Sequence, residues 1–400
     1  MRRTKTLIIL FGLAALSSCS DSTTAPRSAD ELRFARISAG EKFSCGLTDD
    51  GTAYCWGNNE RGQLGDGTTS DRAKPTRVAT TLQFSTIASG FDHSCAITLT
   101  GEAYCWGGNR YGKTGALPMD ANQLVPVAVP GGLKFMSIAP SNTSTCGTTA
   151  EQDLYCWGHI AYTDFWGTAL SGVKTVEPTR IATGMVAVVA GLAGPDGATY
   201  CSVDQNQLAY CWFLLYTYPP SGPLLEPVRS PVSATLKFET LRAGPGHVCG
   251  VTTSAETYCW GWNNLGQLGD GTTEYTPTPT RVSSNLKFES LAVGGGNVII
   301  DDGAGTSANS GFSCGLASGK AYCWGANNRG QLGIGTTGNF VSIPQPVAGG
   351  HTFVALRAGG FHACGLVADG SAYCWGNNDA GQIGDGSFKS SAAPKEVVAN

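Results

Sequence analysis

The chain has 400 residues, a formal charge of −4, 55 glycines and only 14% Asp, Glu, Lys and Arg. A charged fraction well under the usual ~25% argues against amphipathic helices, and a mildly acidic balance lacks the clustered Lys and Arg that bind a phosphate backbone. Nucleic acid is therefore not an expected partner, and the glycine content fits short strands joined by tight turns.

Arg2, Arg3 and Lys5 precede an apolar stretch from Leu7 to Leu16, so residues 1–18 read as an export signal. The stretch is too short to span a bilayer, which needs about 20 apolar residues. It runs into Leu16-Ser17-Ser18-Cys19, which resembles the lipobox of bacterial lipoproteins. Cys19 is then the expected lipid attachment, and the chain an extracytoplasmic protein held at the bacterial cell envelope. The alternative is an ordinary cleaved signal with an incidental cysteine, which also exports the chain. Cleavage before Cys19 removes three basic side chains and takes the charge from −4 to −7. Residues 19–30 are small, polar and aperiodic, and read as a flexible tether.

The folded domain is expected over residues 31–400, where a cysteine pair ending in Cys-Trp recurs seven times. The pairs are Cys45 with Cys55, Cys95 with Cys105, Cys146 with Cys156, Cys201 with Cys211, Cys249 with Cys259, Cys314 with Cys323 and Cys364 with Cys374. Successive second cysteines are 48 to 64 residues apart, a period that marks a repeat array. Each unit opens on an apolar segment such as Leu82 to Gly90. Two short strands follow, one for each cysteine, then a glycine-rich stretch and a Pro-x-x-Val segment such as Pro75 to Val78. Four short strands per period make a propeller blade, so the expected fold is all-β, a seven-bladed β-propeller of four-stranded blades. The chain starts on a first-strand segment, Leu32 to Gly40, and stops after a fourth-strand one, Pro394 to Val398. The seventh unit is thus complete and can close a ring on the first.

Cys45 and Cys55 lie symmetrically about a turn whose last residue is Gly51, and Gly101 and Gly370 hold the same place. A three-residue hairpin loop wants glycine there, in the left-handed region. The cysteines then oppose each other across the strands, where Cα atoms lie about 4.5–5.5 Å apart and a disulfide can form. The sixth pair is one residue closer, and Ser318-Gly319 as a two-residue turn restores the opposition. Gln152, Gln207 and Ala255 occupy the glycine place in blades three to five, so different turns are expected. Zinc is the competing reading, but it needs four ligands on one ion, and each pair lies in its own hairpin.

After each Cys-Trp comes the segment Gly57 to Gly67 (GNNERGQLGDG), repeated at Gly261 to Gly271, Gly325 to Gly335 and Gly376 to Gly386, and weakened at Gly107 to Gly115. This pattern resembles the repeat of the regulator of chromosome condensation family, and the likeness covers residues 31–400. The resemblance implies a seven-bladed propeller. The family's founding member is a guanine-nucleotide exchange factor that binds chromatin, and another branch inhibits exported β-lactamases. Exchange-factor activity and inhibition of an exported enzyme are accordingly alternatives to the main expectation, a monomeric, membrane-tethered scaffold that presents loops to an envelope or extracellular protein or glycan.

No P-loop, nucleophile-elbow or H-E-x-x-H pattern occurs, so no catalytic residue, cofactor or metal is assigned. An envelope polysaccharide hydrolase or lyase is the enzymatic alternative. His93, His247 and His362 all fall two residues before a first cysteine. A place shared by several blades reads as packing, as do the seven Trp of the Cys-Trp motifs. His159 and His351 have no evident partner, and Trp166 and Trp262 stand outside the Cys-Trp register.

Function is best sought where a repeat breaks. Blades three and four lose Gly-Gln-Leu-Gly and carry Tyr162, Phe165, Trp166, Phe213, Tyr216 and Tyr218 instead. These aromatics are candidate partner contacts, the alternative being that they fold back to replace lost packing. A second break, Gly295 to Gly311, inserts into blade six. It reads as an exposed loop, since Asp301-Asp302 without further spaced oxygen ligands is weak as a calcium site.

Overall fold

A computed structural model describes residues 32–163, 169–191, 197–215, 231–299 and 307–399. Cys19 and the tether lie outside them. The described chain forms a seven-bladed propeller. Six blades are antiparallel four-stranded sheets, and blade four has three described strands plus a bridge between Tyr210 and Pro231. Blade one is typical: its strands Arg36–Ala39, Phe43–Leu47, Ala53–Gly57 and Arg72–Arg77 lie side by side in chain order.

The first strands of neighbouring blades touch one another all the way round, and the first strand of blade one contacts that of blade seven. These strands therefore ring the axis. Among the described residues no strand is exchanged between the ends of the chain. The junction holds instead by Phe34 N donating to Gly370 O at 2.8 Å, Gly360 N to Gly40 O at 3.1 Å, and an Arg33–Asp369 ion pair. At the end of each first strand the backbones close to a waist. A Cβ on Gly359 would stand 2.3 Å from Gly40 O, and one on Gly40 2.7 Å from Gly90 O.

Every cysteine pair of the repeat is a disulfide. Cys45 is bonded to Cys55, Cys95 to Cys105, Cys146 to Cys156, Cys201 to Cys211, Cys249 to Cys259, Cys314 to Cys323 and Cys364 to Cys374. Each bond joins directly opposed residues of a blade's second and third strands. The expected Cα separation is corrected: it is 4.0–4.1 Å in all seven pairs, below the 4.5–5.5 Å of ordinary strand opposition. Close approach is the mark of a non-hydrogen-bonded pair, and the bridging sulfurs draw the strands nearer still.

The two-residue turn at Ser318-Gly319 is present, with Ala317 opposite Lys320. The expectation of different turns in blades three to five is corrected: Gln152, Gln207 and Ala255 take the same left-handed conformation, with φ of 64°, 66° and 57°. The fixed cysteine register and the adjoining blade override the preference for glycine. The blade-six insertion also differs from a plain loop, because Asn297–Ile299 pairs with Ser307–Asn309 as a small hairpin; Asp301 and Asp302 fall outside the described residues.

The repeat motif works across blade boundaries. Gln63 O accepts from the indole Nε1 of Trp106 at 3.0 Å and from Ser94 Oγ at 2.9 Å, both in the next blade. Gln267 O serves Trp324 and Ser313 in the same way, and Gln382 O serves Trp56 and Ser44 at the ring closure. The Gln side chain shapes its own loop, Gln63 Oε1 accepting from Arg61 N at 2.8 Å. Asn59 Oδ1 accepts from Leu64 N at 3.0 Å and completes it.

The three histidines add a second inter-blade bond. His93 Nε2 meets Thr145 Oγ1 at 2.8 Å, His247 meets Ser313 Oγ at 2.9 Å, and His362 meets Ser44 Oγ at 2.8 Å. All three are buried, and burial depresses their pKa, well below the ordinary value for His93 and to about 3 for His247 and His362. Below about pH 6.5 the unfolded chain takes up protons that the folded histidines refuse, so their contribution to stability is full above that pH and falls as pH drops towards 3. Each histidine is expected to cost up to about 1.4 kcal/mol per pH unit in that window. Melting temperatures of the parent and of His362→Gln from pH 7 to 4 check this, since the variant should lose the fall in stability due to one histidine, up to about 1.4 kcal/mol per pH unit.

Candidate partner-binding face

Connections in an antiparallel meander alternate between the two ends of the sheet, so the first–second and third–fourth strand connections of every blade emerge on one face of the ring. The three departures from the repeat fall on that face. In blade three the third and fourth strands, Leu154–Thr163 and Ala169–Ala182, run 10 and 14 residues and stay paired out to Thr163 opposite Ala169. In blade four the second and third strands extend the same way, to Gly197 opposite Leu215. The blade-six hairpin emerges from a first–second connection. This side is termed the insertion face; the disulfide hairpin tips point to the other.

A depression of about 1360 Å³ opens on the insertion face, lined mainly by blades one, two, three and seven. Phe91 and Phe361 give it an apolar part. Arg61 and Arg329, from equivalent repeat places, stand exposed in it with Arg110, beside Asp120 and Asp379. Tyr111 links blade two to the projecting blade-three hairpin. Arg110 and Lys174 each lie 4.9 Å from its ring centroid, and the His159 ring lies at 5.0 Å. Cations over an aromatic face are attracted by its quadrupole.

Two buried ionisable groups underlie the depression. Lys113 stands where the motif has Gln, and its ammonium binds the Asp92 carboxylate and Asn142 O, the latter at 2.6 Å. Burial lowers its pKa and Asp92 opposes that. Glu41 is buried at the waist between blades one and seven, its Oε2 without a hydrogen-bond partner, and burial pushes its pKa up to about 8. It is therefore mostly neutral at pH 7. The described residues contain no group of three or more His, Cys, Asp or Glu that could hold a metal ion.

Of the expected contacts in blades three and four, two fall in strands that extend toward this face. Tyr162 and Phe213 belong to the extended strands, though their side chains lie outside the described residues. Phe165, Trp166, Tyr216 and Tyr218 lie outside them altogether. Trp262 is 51% exposed on the same face, next to a motif loop. His351 packs on Tyr373 with ring centroids 4.1 Å apart, a structural contact. Sequence reasoning missed Lys113, for which the signal was a lysine in the Gln place of a motif copy that keeps its glycines at 107, 112 and 115.

One model of the regulator of chromosome condensation (RCC1) repeat matches residues 50–97, 255–300, 318–366 and 369–400, and a second model of it matches 34–63, 84–113 and 353–382. Together they span more than half of the chain. The chain belongs to the RCC1 repeat family. Among curated relatives, human E3 ubiquitin-protein ligase HERC2 is 26% identical over 305 residues, 63% of this chain and 6% of that one. The Arabidopsis thaliana ultraviolet-B receptor UVR8 is 29% identical over 40% of this chain and 34% of its own length. The chain thus spans well under half the length of these relatives. Among solved structures, Prp20p of Saccharomyces cerevisiae, studied for its binding to Gsp1p and histones, superposes with a TM-score of 0.71 at 18% identity, over 88% of this chain and 87% of that one. The ectodomain of the Physcomitrella patens receptor kinase CR4 gives 0.50 at 19% identity over 86% and 74%. These structural likenesses establish the RCC1 fold and nothing finer. On that fold, this chain carries a disulfide in every blade.

Proposed function

We propose that this RCC1-repeat propeller is an extracytoplasmic binding scaffold, tethered through Cys19, that presents its insertion face to a protein partner. The observation that carries the reading is the convergence of all three repeat breaks with the large depression on one face. Rigid blades hold the loops, and exposed aromatics and arginines there supply the residue types that dominate interface energetics. Seven disulfides support an oxidising compartment, where such bonds persist. An exchange-factor role and the binding of histones as in Prp20p both fit that compartment poorly, and the acidic balance disfavours contact with a phosphate backbone.

Affinity capture from a solubilised envelope and secreted fraction tests this reading. Trp166→Ala with Tyr216→Ala should weaken capture about tenfold or more, the effect of losing an aromatic hot spot, while the melting temperature stays nearly unchanged. Undiminished capture would remove these loops from the interface. A large fall in melting temperature would assign the aromatics to blade packing instead, and capture of a glycan alone would replace the protein partner.

A further inference from the structure

We propose that the axial channel is an anion site in which Arg36, Arg242 and Arg357 together hold a small polyvalent oxyanion of the phosphate class. All three come from the first strands that ring the axis: Arg36–Ala39 of blade one, Phe238–Ala243 of blade five and Phe353–Ala358 of blade seven. Arg242 and Arg357 occupy one repeat position, where the other blades have Ser38, Ala88, Ala139, Val189 and Ala292. Ser38 Oγ accepts from Ser89 N of the next first strand at 2.9 Å, which places this position at the junctions between strands around the channel. The two arginines share that environment two residues before the waist.

Their hydrogen bonding is incomplete. Arg242 donates to Leu241 O and Arg357 to Leu356 O, each at 2.8 Å and each within its own strand. None of the three arginines forms an ion pair among the described residues. The nearby acids among the described residues do not serve. Glu239 and Glu289 are exposed at the strand starts, Glu289 accepting from Ser318 N, and Glu41 is held neutral by burial. Arg357 is lowered to about 10 by burial first and then by Arg242 and Arg36. Blade six separates blades five and seven, so Arg242 and Arg357 stand on non-adjacent first strands of the same ring.

A guanidinium does not give up its proton in a protein, and the half-buried Arg242 and Arg357 have no carboxylate partner among the described residues, which leaves their forks free for a counter-charge from solution. A polyvalent oxyanion matches several guanidinium forks at once, which a chloride ion cannot do. Thr240 supplies a further donor. It lies two residues before Arg242 and so on the same side of the strand, and its hydroxyl is buried with no partner among the described residues. The site is independent of the insertion-face reading, since none of these residues lines the depression.

The test is titration of the oxidised full chain with inorganic pyrophosphate, inorganic phosphate and sodium chloride at constant ionic strength, followed by calorimetry and melting temperature. Pyrophosphate should bind saturably and raise the melting temperature, phosphate less so, and chloride not at all. Arg242→Gln with Arg357→Gln should weaken pyrophosphate about tenfold or more and also melt higher than the parent without anion, because the like-charge repulsion is gone. Arg36→Gln, on an exposed side chain, should fold normally and weaken binding as well. Arg329→Gln, in the depression, should leave it unchanged. Absence of pyrophosphate binding by the parent, or equal binding by the Arg242/Arg357 and Arg36 variants, would overturn the assignment.

Discussion

Reduction of the seven disulfides is expected to unfold the propeller. Each bond joins residues 10 apart, or 9 in blade six. A loop of that size is worth about 2–3 kcal/mol in the chain-entropy model. Seven such bonds sum to roughly 14–21 kcal/mol, more than the ~5–15 kcal/mol by which a native domain is usually stable. The effect is local, since every bond lies within one hairpin and none spans the ring. Thirteen of the fourteen cysteines are buried and Cys211 is half-buried, so the Cys201–Cys211 bond should be the first reduced. Circular dichroism melts with and without reductant, with thiols counted by alkylation, provide the check. A fully reduced chain that melted within a few degrees of the oxidised one would show that blade packing alone suffices.

Trp106→Ala is expected to cost about 3–5 kcal/mol, the range for truncating a fully buried large aromatic. The indole is wholly buried, lies 6.2 Å from Phe84 between ring centroids, and donates to Gln63 O across the blade boundary. Its removal leaves a cavity and strips the motif carbonyl of one of two donors. Trp262→Ala is the matched control: 51% exposed, it should change stability by no more than about 0.5 kcal/mol. Chemical denaturation of the two variants separates these outcomes, and comparable losses would deny that the Cys-Trp tryptophans are the inter-blade wedges.

Much of this architecture was legible in the chain because a propeller blade is a local object. The cysteine spacing sets the hairpin register, Ser318-Gly319 sets the shorter turn, and Gly-Gln-Leu-Gly marks the third–fourth connection. What lay between blades was harder to read. Gln63 matters through its backbone carbonyl as much as its amide, and sequence shows side chains only. Likewise Gln152, Gln207 and Ala255 adopt a glycine's conformation because the surrounding register imposes it, which propensity cannot express. Arg242 and Arg357 share a repeat position, yet only the packing of the blades shows that this position belongs to the strands that ring the axis. The convergence of blades three, four and six on one face follows from strand alternation and needed the sheet order to be seen.

The central claim is that the insertion face is the partner face, and an amide hydrogen-exchange footprint of the protein with its captured partner tests it most directly. Protection should gather in the first–second and third–fourth connections, around residues 58–66, 108–122 and 159–175, and leave the hairpin tips at 48–52, 98–102 and 367–371 exchanging as in the free protein. Protection confined to those tips, with the insertion face unchanged, would contradict the account.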